Sequence, residues 1–67
     1  MDYTAIRNGL VRVTESDMLT MPQMISAMSD QDSVDVQFVI DDLIDDGADI
    51  YSEKSVSCGT VYRVMPR

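Results

Sequence analysis

The chain has 67 residues, a formal net charge of −7, 45% apolar residues, one cysteine and no histidine. This length supports one domain, residues 1–67, near the lower size limit for folding, because so short a chain buries only about 60% of its unfolded surface. A lone Cys58 excludes an internal disulfide, and the lack of histidine removes a usual zinc ligand. No apolar run approaches the roughly 20 residues of a membrane span, and residues 1–4 lack a signal-peptide layout. We therefore expect a cytoplasmic domain with no membrane association, metal or cofactor.

The first predicted element is a helix over residues 3–13. Tyr3, Ile6, Leu10 and Val13 recur at helical spacing, and Asp2 stands at the N-cap position. Gly9 and the alternating pattern of residues 10–13 leave a strand at the end of this segment as the alternative.

A second, capped helix begins after Thr20. Thr20 is an N-cap residue, Pro22 lies in the first turn where no donor is lost, and Gln23 completes a capping box. We expect this helix to end near residues 29–30 and residues 18–19 to form a short strand before it. Its apolar face consists of Met21, Met24, Ile25 and Met28.

The third predicted helix contains most of the negative charge. Residues 30–49 hold eight Asp and no Lys or Arg, whereas the rest of the chain has four acidic and five basic residues. Asp32 and Ser33 offer an N-cap, and Gly47 stands where a C-terminal stop is expected. The segment is also apolar, unlike a disordered acidic tail. One helical face, at 100° per residue, collects Val36, Val39, Ile40, Leu43 and Ile44.

Two strand-like runs follow, at residues 48–53 and 60–65, around a polar loop that ends in Cys58 and Gly59. They predict a β-hairpin. The order helix, short strand, capped helix, helix and hairpin resembles the winged helix-turn-helix superfamily over nearly the whole chain. The resemblance rests on Leu-Thr-Met-Pro-Gln-Met at 19–24, Leu-Ile-Asp-Asp-Gly at 43–47 and the wing at 50–64.

The resemblance implies an α+β winged helix-turn-helix fold, with three helices followed by a two-stranded β-hairpin wing. In that superfamily the third helix usually enters the major groove of DNA and the wing touches the backbone. None of the three stretches is a catalytic signature, and we expect no enzymatic activity.

The solvent-facing side of the third helix is the candidate site. The face opposite Val36 and Ile40 presents Val34, Phe38, Asp41, Asp42 and Asp45, flanked by Asp35 and Asp46. Binding to duplex DNA depends on Lys and Arg neutralising phosphates, and no basic residue lies among these positions. We therefore expect this helix to bind a protein with a basic surface and not nucleic acid.

A solvated surface is the competing interpretation of these carboxylates. Two features favour a binding surface instead. The pairs Asp41/Asp45 and Asp42/Asp46 place like charges four residues apart near the negative helix end, which costs stability. Phe38 is predicted to be exposed among them, as interface anchors are. Burial of Phe38 by the first helix or in a homodimer would restore the competing interpretation.

The function predicted from these features is inhibition or regulation of a nucleic-acid-handling protein by an acidic module that mimics the charge of DNA. Small size, acidity and compactness resemble phage- or mobile-element-encoded inhibitors of host restriction, defence or transcription machinery. The alternative is a DNA-binding transcriptional regulator that contacts DNA through the wing, where the candidate cations are Lys54, Arg63 and Arg67.

Overall fold

Three helices precede a two-stranded antiparallel hairpin in the computed structural model, which describes residues 1–66. The elements are α1 (Tyr3–Val13), α2 (Met21–Ala27), α3 (Ser33–Asp46), β1 (Ile50–Ser55) and β2 (Gly59–Val64). The α+β fold class predicted from the sequence, three helices followed by a hairpin, is confirmed. None of the helices within residues 1–66 has the length and apolar character needed to cross a membrane.

The first two helices begin at the predicted caps. The Asp2 side chain accepts a hydrogen bond from the Ala5 amide at 3.1 Å. Thr20 and Gln23 bond each other's backbone amides in a capping box. Helix α1 stays helical as far as Val13, so the alternative of a strand at its end is wrong. Helix α2 ends at Ala27, earlier than predicted, because the backbone already leaves helical geometry at residue 28.

Helix α3 has an aspartate N-cap and a glycine C-cap. Its N-terminus is capped by Asp32, whose carboxylate accepts from the Val34 amide at 2.8 Å. It ends at Asp46 and is followed by the C-cap Gly47, where the backbone turns to a φ of 76° that other residues rarely adopt.

The core lies between the three helices and the end of β2. Its buried residues are Ile6, Leu10, Met24, Met28, Val36, Val39, Ile40, Leu43 and Val64. Ile44 was predicted on the core face of α3 but is 38% exposed, because it points about 80° away from Val36 around the helix. Gly9 permits the close packing of α1 on Met28, whose Cε lies 2.5 Å from where a Cβ at Gly9 would be.

The hairpin is attached to the helices along β2. Strands β1 and β2 pair from Ile50 opposite Val64 to Ser55 opposite Gly59. On the other side of β2, Leu19 forms a single antiparallel bridge with Tyr62, where a short strand was predicted. Buried Thr14 adds a further link, because its Oγ1 donates to the Leu10 carbonyl at 2.8 Å and accepts from the Val64 amide at 3.0 Å.

Candidate protein-binding surface

The buried side of α3 determines which of its residues face solvent. Val36, Val39 and Ile40 have no exposed surface, and they are spaced so that one side of the helix packs on the core. The opposite and flanking positions form what we call the acidic helix face. It consists of Val34, Asp35, Phe38, Asp41, Asp42, Asp45 and Asp46.

Two apolar side chains of this face are open to solvent. Phe38 is 54% exposed and Val34 is 73% exposed. They lie four residues apart on α3, so their side chains are neighbours on the helix surface. The predicted exposure of Phe38 is confirmed, and helix α1 does not cover it.

Four exposed carboxylates continue the face toward the C-terminus of α3: Asp41, Asp42, Asp45 and Asp46. Within residues 1–66, no Lys or Arg side-chain nitrogen lies within 4.0 Å of their carboxylate oxygens, and the last turn of α3 contains no basic residue. Asp35 differs from these four, because it is half-buried in the first turn, where the helix dipole favours an anion.

Tyr3 positions one of the carboxylates. Its hydroxyl donates a hydrogen bond of 2.5 Å to Oδ2 of Asp42, which connects the start of α1 to the C-terminal half of α3. Sequence spacing does not indicate this contact, because it assigns Tyr3 to the apolar face of α1. The available signal was its phenolic oxygen, which needs a polar partner when the ring packs against a core.

Within residues 1–66, no Lys or Arg forms an ion pair with the acidic helix face, and two of the four are engaged elsewhere in the fold. Arg7 is 5% exposed; its Nη2 donates to the Met65 carbonyl at 2.7 Å and lies 3.5 Å from Oδ2 of Asp49. Arg63 is half-buried, and its Nε donates to the Thr14 carbonyl at 3.2 Å. These two arginines therefore hold the fold together.

The structure does not bring the predicted wing cations together. Lys54 lies opposite Thr60 and Arg63 lies opposite Tyr51, so the two side chains extend from opposite faces of the hairpin. Lys54 is exposed, whereas Arg63 is bonded to the main chain as described above. Arg67 lies outside the described residues.

The chemistry available to the acidic helix face is binding through charge and apolar contact. Its carboxylates can accept hydrogen bonds and ion pairs from Lys and Arg, and Phe38 and Val34 can be buried by a partner. Across the described part of the chain, no three His, Cys, Asp or Glu side chains converge in a way that could hold a metal ion.

Comparison with known proteins gives no relative. No family model matches the chain, and no curated protein or solved structure is significantly similar to it. The geometry and charge of the acidic helix face are therefore the basis for inferring a function.

Proposed function

We propose that the chain is a winged-helix protein-interaction module that acts in the cytoplasm and has no catalytic activity. Its acidic helix face binds the basic surface of a nucleic-acid-handling protein and thereby inhibits or regulates that protein. The winged-helix assignment is supported by the order of the elements and by the bridge from Leu19 to β2. One observation carries the binding proposal: Phe38 is 54% exposed beside carboxylates that no cation of the described chain neutralises.

The apolar part of the face supplies affinity. Full burial of a Phe or Val side chain stabilises a complex by about 1.5–3 kcal/mol through removal of apolar surface from water. Phe38 and Val34 are adjacent, so a single hydrophobic depression on the partner can bury both. An aromatic anchor beside a charged rim is the usual layout of an interface hot spot.

The charged part of the face supplies partner selection. Asp41 and Asp45, like Asp42 and Asp46, are separated by about 6 Å along the helix axis. The acidic helix face is convex and carries regularly spaced negative charges. A surface that binds nucleic acid depends chiefly on such charges, which the phosphates supply. The partner class is therefore a protein whose basic groove otherwise holds nucleic acid, and the domain competes with nucleic acid for that groove.

The test is a capture experiment with three baits. Wild-type protein, Phe38→Ala and the double variant Asp41→Lys/Asp45→Lys are immobilised and exposed to the same cell extract. The wild type should retain a nucleic-acid-binding protein that both variants lose, and excess duplex DNA should release it. Capture by all three baits, or capture that DNA does not reverse, would contradict the proposal.

Binding kinetics separate the two parts of the face once a partner is captured. The double variant Asp41→Lys/Asp45→Lys should associate more slowly and with less salt dependence, because steering by the carboxylates is lost. Phe38→Ala should instead dissociate faster, because the anchor is lost while the charge is kept.

A further inference from the structure

The outer edge of β1 carries unpaired backbone groups. Tyr62 directs both its N–H and its C=O to Leu19, at 2.7 and 3.0 Å, and therefore away from β1. In an antiparallel pair, opposed residues either bond each other or both face away, in alternation. Ser52, which is opposite Tyr62, must direct its N–H and C=O to the outer edge of β1. By the same alternation, the backbone N–H and C=O groups of Ile50 and Lys54 also point to the outer edge of β1.

This edge is open. The side chains of residues 51–54 are exposed, and Tyr51 is 53% exposed. Within residues 1–66, the outward N–H and C=O groups of Ser52 and Lys54 make no hydrogen bond. A regular edge strand without proline is a template for pairing with another strand.

We propose that β1 pairs antiparallel with β1 of a second copy of this chain, about a two-fold axis at Ser52. Ser52 then lies opposite Ser52, and Ile50 lies opposite Lys54, so every outward backbone group meets an outward group. If the pairing register shifts by two residues in one direction, Glu53 lies opposite Glu53. If it shifts by two residues in the other direction, Asp49 lies opposite Glu53. Like charges opposite each other destabilise a strand pair, and a slip of one residue mismatches the hydrogen-bonding edges.

Charge identifies a second copy as the occupant. Helix α3 ends at Asp46 with no basic residue in its last turn, although helix C-termini favour cations. Ile50 follows Asp46 by four residues, so their Cα atoms are at most about 14 Å apart. In the self-paired dimer, Lys54 of the second copy lies opposite Ile50. Both side chains are then on the sheet face that packs against the core. Each copy thus brings a cation to the start of the strand that follows the acidic end of α3 in the other.

The pairing leaves the acidic helix face unused and is independent of its function. Dimers built by apposing two acidic helix faces would bring carboxylates of both copies together, which costs energy. Pairing through β1 instead yields a four-stranded sheet that presents two acidic helix faces. Because a five-residue edge buries little surface, the dimer should be weak.

Sedimentation velocity over a wide concentration range tests the proposal. The average mass should rise from one chain toward two between ~10 μM and ~1 mM, the range expected for a weak dimer. Ser52→Pro should weaken the dimer about tenfold or more, because it removes an outward N–H and spares the β1–β2 ladder. Ser52→Val keeps that N–H and is the matched control, with wild-type dimerisation expected.

Two further variants keep the test decisive if Ser52→Pro does not fold. Lys54→Glu leaves the backbone intact and should weaken the dimer by opposing an anion to the acidic end of α3. Phe38→Ala should leave the dimer unchanged. A chain that stays monomeric throughout the range, or a dimer lost in Phe38→Ala but kept in Lys54→Glu, overturns the proposal.

Discussion

Phe38 is the residue at which binding and stability are most clearly separated. Its ring is 54% exposed, so truncation removes little from the core. We expect Phe38→Ala to cost less than about 1 kcal/mol of unfolding free energy, well below the roughly 3–5 kcal/mol for a buried Phe. Urea denaturation at several protein concentrations measures this.

Ile40 provides the matched control on the same helix. It has no exposed surface, and Ile40→Ala should cost about 2–5 kcal/mol. If Phe38→Ala were as destabilising as Ile40→Ala at every concentration, Phe38 would belong to the core. A loss that depended on concentration would point to a homodimer through the acidic helix face.

Arg7 has a structural role that its charge alone does not indicate. Its side chain bonds the Met65 carbonyl and pairs with Asp49, which is only partly exposed. Arg7→Ala should cost about 2–3 kcal/mol, because it removes a buried side chain, the donor to the Met65 carbonyl and one ion pair of Asp49. Arg12→Ala, on the same helix but exposed, should cost less than about 1 kcal/mol. Equal losses in thermal or urea unfolding would argue against this role.

At the residue scale, helical periodicity predicted the exposure of Phe38, because its angle around α3 depends only on sequence spacing. Periodicity could not predict the bond from Tyr3 to Asp42 or the burial of Arg7. Both depend on how α1 is placed against α3 and the end of β2. That placement is a tertiary property which no local pattern encodes.

Helix α3 is less stable than its apolar face would permit. Its last turn carries Asp45 and Asp46 with no basic residue, at the end where anions are unfavourable. Asp45→Asn/Asp46→Asn should therefore stabilise the fold by about 1 kcal/mol, or raise Tm by about 4–8 °C. The gain should shrink in moderate salt, which screens the same repulsion. Calorimetry with and without salt measures both effects.

The opposite end of α3 provides the control. Asp35 lies in the first turn, where the helix dipole favours an anion, so Asp35→Asn should be neutral or slightly destabilising. Stabilisation by both changes would indicate a general effect of net charge instead of an effect of the helix end. No change at Asp45 and Asp46 would mean that other groups compensate these carboxylates.

At the element scale, the sequence predicts helix boundaries best where capping residues close to the boundary determine them. Thr20 with Gln23 defined the start of α2, and Gly47 defined the end of α3. Gly9 was ambiguous in the sequence because glycine weakens both helices and strands. Its place in α1 is explained by the Met28 side chain packed against it, a contact between two elements.

The whole molecule should not bind duplex DNA. The net charge is −7, Arg7 and Arg63 are engaged within the fold, and Lys54 and Arg63 point to opposite faces of the hairpin. We expect no mobility shift near physiological salt at micromolar protein, because residues 1–66 present no cluster of cations that could release counterions from the phosphates. Sequence-dependent micromolar binding would contradict this and favour a regulator acting through the wing.

Thr14 makes the end of the first helix depend on the last strand. Its hydroxyl and carbonyl receive the Val64 amide and the Arg63 side chain, so the end of α1 is held by residues about fifty positions later. Before those residues are available, the apolar face of α1 can already pack on α2 and α3, but its C-terminal end lacks both of these hydrogen bonds. A chain that ends before residue 63 lacks both links, so we expect it to be less stable than the intact domain and more readily cut by proteases.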